Sequence, residues 1–190
     1  MTLARLGYEV HGFDISPACI AVAQRLAEKY ELADRVSFSV QTAENLEYAS
    51  ETFDIVVGTN ILHHCDIAPA IGQCWRVLKR GGLALFREHM EVPIIDPLRK
   101  CRLMLWIAPR TKSFDKEITE DEHNLTSSDM KAIREVFPDI SLWRFGLCDR
   151  LRTVARRYTR ALQKLDYYLF KAIPPLAVFG SDVVMTLKKG

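Results

Sequence analysis

The chain has 190 residues, 48% of them apolar, with 26 basic and 24 acidic side chains. That is enough for one domain with a real core, and a net charge of +2 implies by itself no polyanionic partner such as a nucleic acid. Cys19, Cys65, Cys74, Cys101 and Cys148 are odd in number and lack CxxC spacing, so they read as free thiols in a reducing, cytoplasmic compartment; no apolar run is long enough to span a bilayer.

Met1 to Gly7 reads as the last turns of a helix, closed by Gly7. The expectation is that a further segment precedes it. Strand Glu9–Phe13 comes next, with Asp14 at its carboxyl end. Ser16 suits an N-cap and Pro17 a first helical position, predicting a helix to about Tyr30 with Ile20, Ala23, Leu26, Ala27 and Tyr30 on one face. Val36–Val40 alternates like a strand, and a polar loop leads to Phe53–Gly58, a nearly continuous apolar run expected to be buried on both faces. Asp66 is expected to cap a helix running to about Lys79, ended by Gly81-Gly82, before a strand at Leu83–Arg87.

Short apolar strands alternating with helices predict an α/β fold: a doubly wound, mostly parallel sheet with helices on both faces. After Glu88 the alternation stops. Residues 89–125 hold three prolines, an apolar LMLWIAP stretch and an acidic cluster, too long for an ordinary connection, and read as a partly helical cap. Thr126-x-x-Asp129 resembles a capping box for a helix to about Phe137, with Met130, Ile133, Val136 and Phe137 inward. Ser141–Leu147 and Ser181–Leu187 read as strands. The whole is expected to be a single domain: residues 1–88 as core, 89–125 as cap, 126–190 completing the sheet.

Asp14 fits two roles as a residue pattern. It caps the Pro17 helix, or it accepts hydrogen bonds from a ribose, since ligands of open α/β sheets bind at the strands' carboxyl ends. His63 and His64 follow one strand end, Glu88 and His89 another, and His123 lies in the cap. Each could take a proton, because imidazole titrates near neutrality; each could equally be local polarity. Adjacent histidines usually point apart, so no metal site is expected at His63-His64. Residues 149–171 form a basic, amphipathic stretch. It fits peripheral membrane contact through 150–171, or a helix packed on the domain with solvated arginines.

The motifs GFDIS, TAENLEYASETFDIVVGTNILHH and VLKRGGLALFRE together resemble the class I S-adenosylmethionine-dependent methyltransferases of the small-molecule kind. The resemblance covers essentially residues 1–147. It implies a Rossmann-like core, S-adenosylmethionine as cofactor and a small-molecule methyl acceptor, apolar or lipid-like. It also implies cofactor contacts from Asp14 and Ile15, from Thr42, Ala43 and Glu44 (adenine loop), and from Asn60 and Ile61. Glu88, His89, His64 and His123 are its catalytic candidates. Thr42 departs from the acidic residue common at its position. The family's first strand and glycine-rich loop should lie before residue 1, between the Glu9 and Phe53 strands in the sheet. The expectation is therefore an N-terminally truncated chain with two unpaired inner strand edges that binds cofactor weakly as a separate polypeptide. A non-catalytic methyltransferase-like binding protein and an NAD(P)-dependent oxidoreductase are the alternatives.

Overall fold

The computed structural model describes residues 1–92, 124–147 and 156–190. The body of the cap and residues 148–155 fall outside them, and with them the expectations for Met104, Leu105, Trp106, Glu122, His123 and the first part of the basic stretch. The described residues form two compact units, 1–49 and 50–190. Among the described residues no strand pairing joins the two units: β1 is bonded only to β2, and β3 only to β4.

Residues 1–49 hold α1 (Thr2–Arg5), β1 (Val10–Asp14), α2 (Pro17–Lys29) and β2 (Val36–Val40). Gly7 takes the left-handed conformation, φ 95°, that ends a helix cheaply. The strands run parallel in the register Val10↔Val36 to Asp14↔Val40. Gly12 lies opposite Phe38, where a Cβ would stand 2.8 Å from the ring; glycine lets the aromatic lie flat on the strand. Ser16 caps α2, its Oγ accepting from Cys19 N at 3.3 Å. Of the predicted inner face, Ile20 and Ala27 are buried, while Leu26 and Tyr30 stay exposed. Two strands and one long helix leave little to cover that face.

Residues 50–190 hold a four-stranded mixed sheet in the order β3-β4-β6-β5: β3 (Phe53–Thr59), β4 (Leu78–His89), β5 (Asp139–Phe145) and β6 (Asp182–Lys188). β3 and β4 are parallel; β6 is antiparallel to both its neighbours. α3 (Ile67–Val77) and α4 (Ser127–Val136) pack together over one face. The core there joins Ile71, Cys74, Phe86, Ile133, Phe137 and Met185, with the Trp75 ring edge-on to Phe137 at 5.0 Å. The predicted capping box is present: Thr126 Oγ1 accepts from Asp129 N, and Asp129 accepts from Thr126 N at 2.8 Å.

Three expectations need correcting. Ile55 and Val57 of β3 are about half exposed, so the apolar run is covered on one face only. α3 ends at Val77, not at Gly81-Gly82, because Leu78 already pairs with Phe53 as a strand residue. Lys79–Gly82 then bulge out before Ile55↔Leu83 resumes the ladder, with Gly81 at φ 75°. Asp66 holds the N-cap position of α3, but its side chain makes no capping bond.

Candidate functional site

In residues 1–49 the candidates gather where the two parallel strands end. Asp14 closes β1, and its main-chain oxygen accepts from Gln41 N at 3.2 Å, just past the end of β2. Its Oδ1 accepts from Ser16 N at 2.8 Å, and among the described residues Oδ2 has no partner. The capping alternative for Asp14 is thereby taken by Ser16. Asp14 instead presents an exposed carboxylate oxygen beside the start of α2, with Ile15 71% exposed next to it. A charged acceptor with an open oxygen at a strand's carboxyl end suits a pair of sugar hydroxyls.

The turn after β2 carries Thr42, Ala43 and Glu44. Thr42 bridges Asn45 and accepts from its N at 3.3 Å; Thr42 is exposed, Ala43 and Glu44 half-buried. The turn is held from inside by Gln41, which is buried. Gln41 Oε1 accepts from Glu47 N at 2.8 Å, and its Nε2 donates to Ser39 Oγ at 2.6 Å. The residue pattern does not single out Gln41. Its only signal is a long polar side chain one residue past an alternating strand.

In residues 50–190 the second group forms at the ends of β3 and β4. Gly58 sits opposite Phe86, where a Cβ would stand 2.5 Å from the ring. Asn60 then turns the chain at φ 52°, a left-handed conformation asparagine tolerates, and its N donates to Arg87 O at 2.8 Å. Glu88 organises the loop beyond Asn60. It is fully buried. Oε1 accepts from Ile61 N at 2.8 Å and from Leu62 N at 3.0 Å, while Oε2 lies 2.9 Å from His63 Nδ1. Both oxygens thus hold the loop, a positioning role. A neutral His63 that donates through Nδ1 keeps Nε2 as an acceptor.

Strand alternation separates Glu88 from its neighbour. His89 points with Arg87 to the other side of β4, where Asp182 Oδ1 stands 3.5 Å from His89 Nδ1 and 3.3 Å from Arg87 Nη2. Asp182 comes from a strand paired antiparallel with β4, which residue spacing does not reveal. The His63 and His64 rings do not point apart: their centroids are 4.0 Å from each other. Glu88 therefore joins His63, not His89, and His64 sits against that pair.

Two short described stretches, Met90–Glu91 and Leu125, meet at the end of β4. Met90 and Leu125 bridge, Leu125 N donates to His89 O at 3.0 Å, and Glu91 N donates to Leu125 O at 3.1 Å.

Residues 1–86 match the family of proteins described as "Methyltransferase domain", a stretch that contains β1 to β3, most of β4, the Asp14 and Thr42–Glu44 group and the Asn60–His64 loop. Over residues 1–86 the chain is thus similar to the methyltransferase domains. Among relatives, a ubiquinone biosynthesis O-methyltransferase of Cereibacter sphaeroides is 31% identical over 159 residues, covering 78% of this chain and 62% of that protein. A ubiquinone/menaquinone biosynthesis C-methyltransferase of Agrobacterium fabrum is 33% identical, covering 57% of this chain and 41% of that one. The chain thus spans less than two thirds of the length of these relatives.

Among solved structures, geranyl diphosphate C-methyltransferase from Streptomyces coelicolor, in complex with Mg2+, geranyl diphosphate and S-adenosylhomocysteine, superposes with a TM-score of 0.64 at 17% identity. It covers 100% of this chain and 66% of that one. The [4+2]-cyclase SpnF does so with a TM-score of 0.62 at 18% identity, covering 99% of this chain and 68% of that one. These likenesses establish the methyltransferase fold, and SpnF illustrates that the fold alone does not name the reaction.

Proposed function

We propose that this protein binds S-adenosylmethionine and transfers its methyl group to a small, largely apolar acceptor. The observation that carries the reading is Asp14: a carboxylate with one oxygen open, at the end of β1, directly before a helix capped by Ser16. In this reading Asp14 accepts from the cofactor's ribose hydroxyls, with Ile15 beside it. Thr42, Ala43 and Glu44 meet the adenine. When bound, the cofactor would supply a methyl carbon on a sulfonium, open to in-line attack by the acceptor with the neutral thioether S-adenosylhomocysteine as the leaving group.

The protein's remaining tasks are to align the acceptor and to take its proton. Glu88 and His63 fix the loop after β3, and the His64 ring lies against His63. His89 is the best-placed base among the described residues: it is partly exposed, is the last residue of β4, and has a carboxylate near Nδ1 that leaves Nε2 to accept. His123, in the cap, remains a second candidate from the sequence. The names of the relatives, which concern ubiquinone and menaquinone biosynthesis, support an acceptor with a hydrophobic body. The free thiols of Cys19, Cys65 and Cys74 support a cytoplasmic location.

Calorimetry with S-adenosylmethionine, S-adenosylhomocysteine and NAD tests the binding half. Binding of the two sulfur compounds without NAD is expected; binding of NAD alone would overturn the reading. For the transfer half, His89→Ala should lower turnover by roughly 10²–10⁴-fold with cofactor affinity unchanged. If His89→Ala turns over normally and His123→Ala or His64→Ala does not, the proton goes elsewhere. Cofactor binding with no transfer to any quinol or phenol acceptor would favour a binding protein.

A further inference from the structure

α5 (Thr159–Ala172) is amphipathic in an unusual sense. Its only carboxylate, Asp166, points inward: it is buried, and Oδ2 accepts from Gly146 N at 3.1 Å. Leu162, Leu169 and Phe170 are half-buried on that same inward side. The acid is thus used internally, and the outward side is left with one sign of charge. Arg160, Lys164 and Lys171 fall within about 40° of one another around the helix and are all exposed. Among the described residues none of the three forms an ion pair.

The flanks of this cationic stripe are not the solvating residues expected of a bare polar face. Tyr167 and Tyr168 stand on either side of it, 62% and 64% exposed, and Leu165 is 52% exposed one step beyond Tyr168. The helix then runs into a 3-10 stretch, Pro174–Phe179, that carries no charge at all and leaves Ile173 and Val178 uncovered. The apolar surface is therefore contiguous in sequence with the cationic stripe, at its C-terminal end.

We infer that this outward face, α5 with residues 173–178, docks on an anionic phospholipid surface. Lysine and arginine on one side of a helix pair with lipid phosphates and with anionic headgroups, and their stems lie along the interface. Tyrosine prefers the headgroup level, where its ring is shielded and its hydroxyl stays wet. The uncharged turn can enter the acyl boundary without desolvating a charge. A nucleic-acid surface would use the cations but gives the adjoining aliphatic turn nothing to do. No helix of the described residues is long and apolar enough to cross a membrane, so the contact is peripheral. This membrane contact is independent of methyl transfer.

Vesicle co-sedimentation of the 190-residue chain tests it, with phosphatidylcholine vesicles and with vesicles containing one third phosphatidylglycerol. Binding is expected to the anionic vesicles only, weakening as salt is raised. Each cation removed should cost about fivefold in affinity, so Arg160→Gln/Lys164→Gln/Lys171→Gln should lose on the order of a hundredfold, with an unchanged circular dichroism spectrum. Tyr168→Ser should weaken binding to the same vesicles without changing its salt dependence. Equal binding of the triple variant, no binding to anionic vesicles at physiological ionic strength, or tighter binding to a single-stranded oligonucleotide at the same salt would each overturn the inference.

Discussion

The strand pairs β1–β2 and β3–β4 share one plan at two depths. In each, two parallel strands meet with a glycine under a phenylalanine of the neighbour, Gly12 under Phe38 and Gly58 under Phe86. In each, the chain reaches a polar candidate residue two positions later, Asp14 or Asn60. The surroundings differ. Phe86 is buried in a core shared by α3, α4, β4 and β6, whereas Phe38 is only half-buried beneath one helix. Asp14 is an exposed carboxylate with an open oxygen; Glu88, at the end of β4, is buried with both oxygens engaged. One strand end thus presents an open carboxylate, and the other locks a loop with a buried one. Burial and the number of waiting donors decide which.

The largest effect should come from unlocking that loop. Glu88→Ala leaves the Ile61 and Leu62 N–H groups buried without an acceptor and removes the carboxylate beside His63. Leaving two such donors unsatisfied costs about 2–6 kcal/mol, at about 1–3 kcal/mol each. Urea denaturation should show that loss, and hydrogen exchange should place it at residues 60–65. A loss below about 1 kcal/mol would mean that water replaces the carboxylate and that the loop is not held as described.

Matched glycine substitutions sharpen the comparison next. Gly58→Ala must push Phe86 or Ile61 out of a filled core, at about 1–3 kcal/mol. Gly12→Ala meets the same clash, but Phe38 has room to swing away, so the cost should stay under about 1 kcal/mol. Equal costs would show that residues 1–49 are packed as tightly as the rest.

A subtler contrast lies in two thiols. Cys19 is exposed in α2; Cys74 is buried in α3, and burial pushes its pKa up to about 12 from an ordinary 9.0. Labelling coupled to mass spectrometry should modify Cys19 at once and Cys74 only on unfolding. The folded state holds the Cys74 proton longer than the unfolded state does. Its stability contribution is therefore intact below pH 9 and is lost as pH rises from there toward about 12. Titration of stability over that range in Cys74→Ala should lack this component.

What the sequence made legible was local. The Ser16-Pro17 helix start and the Thr126–Asp129 capping box need only residues three apart, and both are present with their side-chain bonds. The alternation of short strands and helices was enough for the fold class. Interactions across strands were not legible. Glu88 and His63 are 25 residues apart and meet only because β3 and β4 are parallel in one register. His89 and Asp182 meet only because β6 returns antiparallel between β4 and β5. The full extent of β4 is hidden in the sequence because glycines ordinarily end helices, and here they make a bulge within a strand. The run Phe53–Gly58 reads as buried on both sides because composition reports apolarity, not which face is covered.

The central claim is that the open carboxylate of Asp14 binds the cofactor's ribose. The direct test is calorimetric titration of S-adenosylhomocysteine into wild type and Asp14→Ala, with circular dichroism confirming the fold. Losing hydrogen bonds to a charged acceptor should weaken binding by about 1.5–3 kcal/mol, roughly ten- to a hundredfold. Unchanged affinity in a folded Asp14→Ala would remove Asp14 from the site and contradict the account.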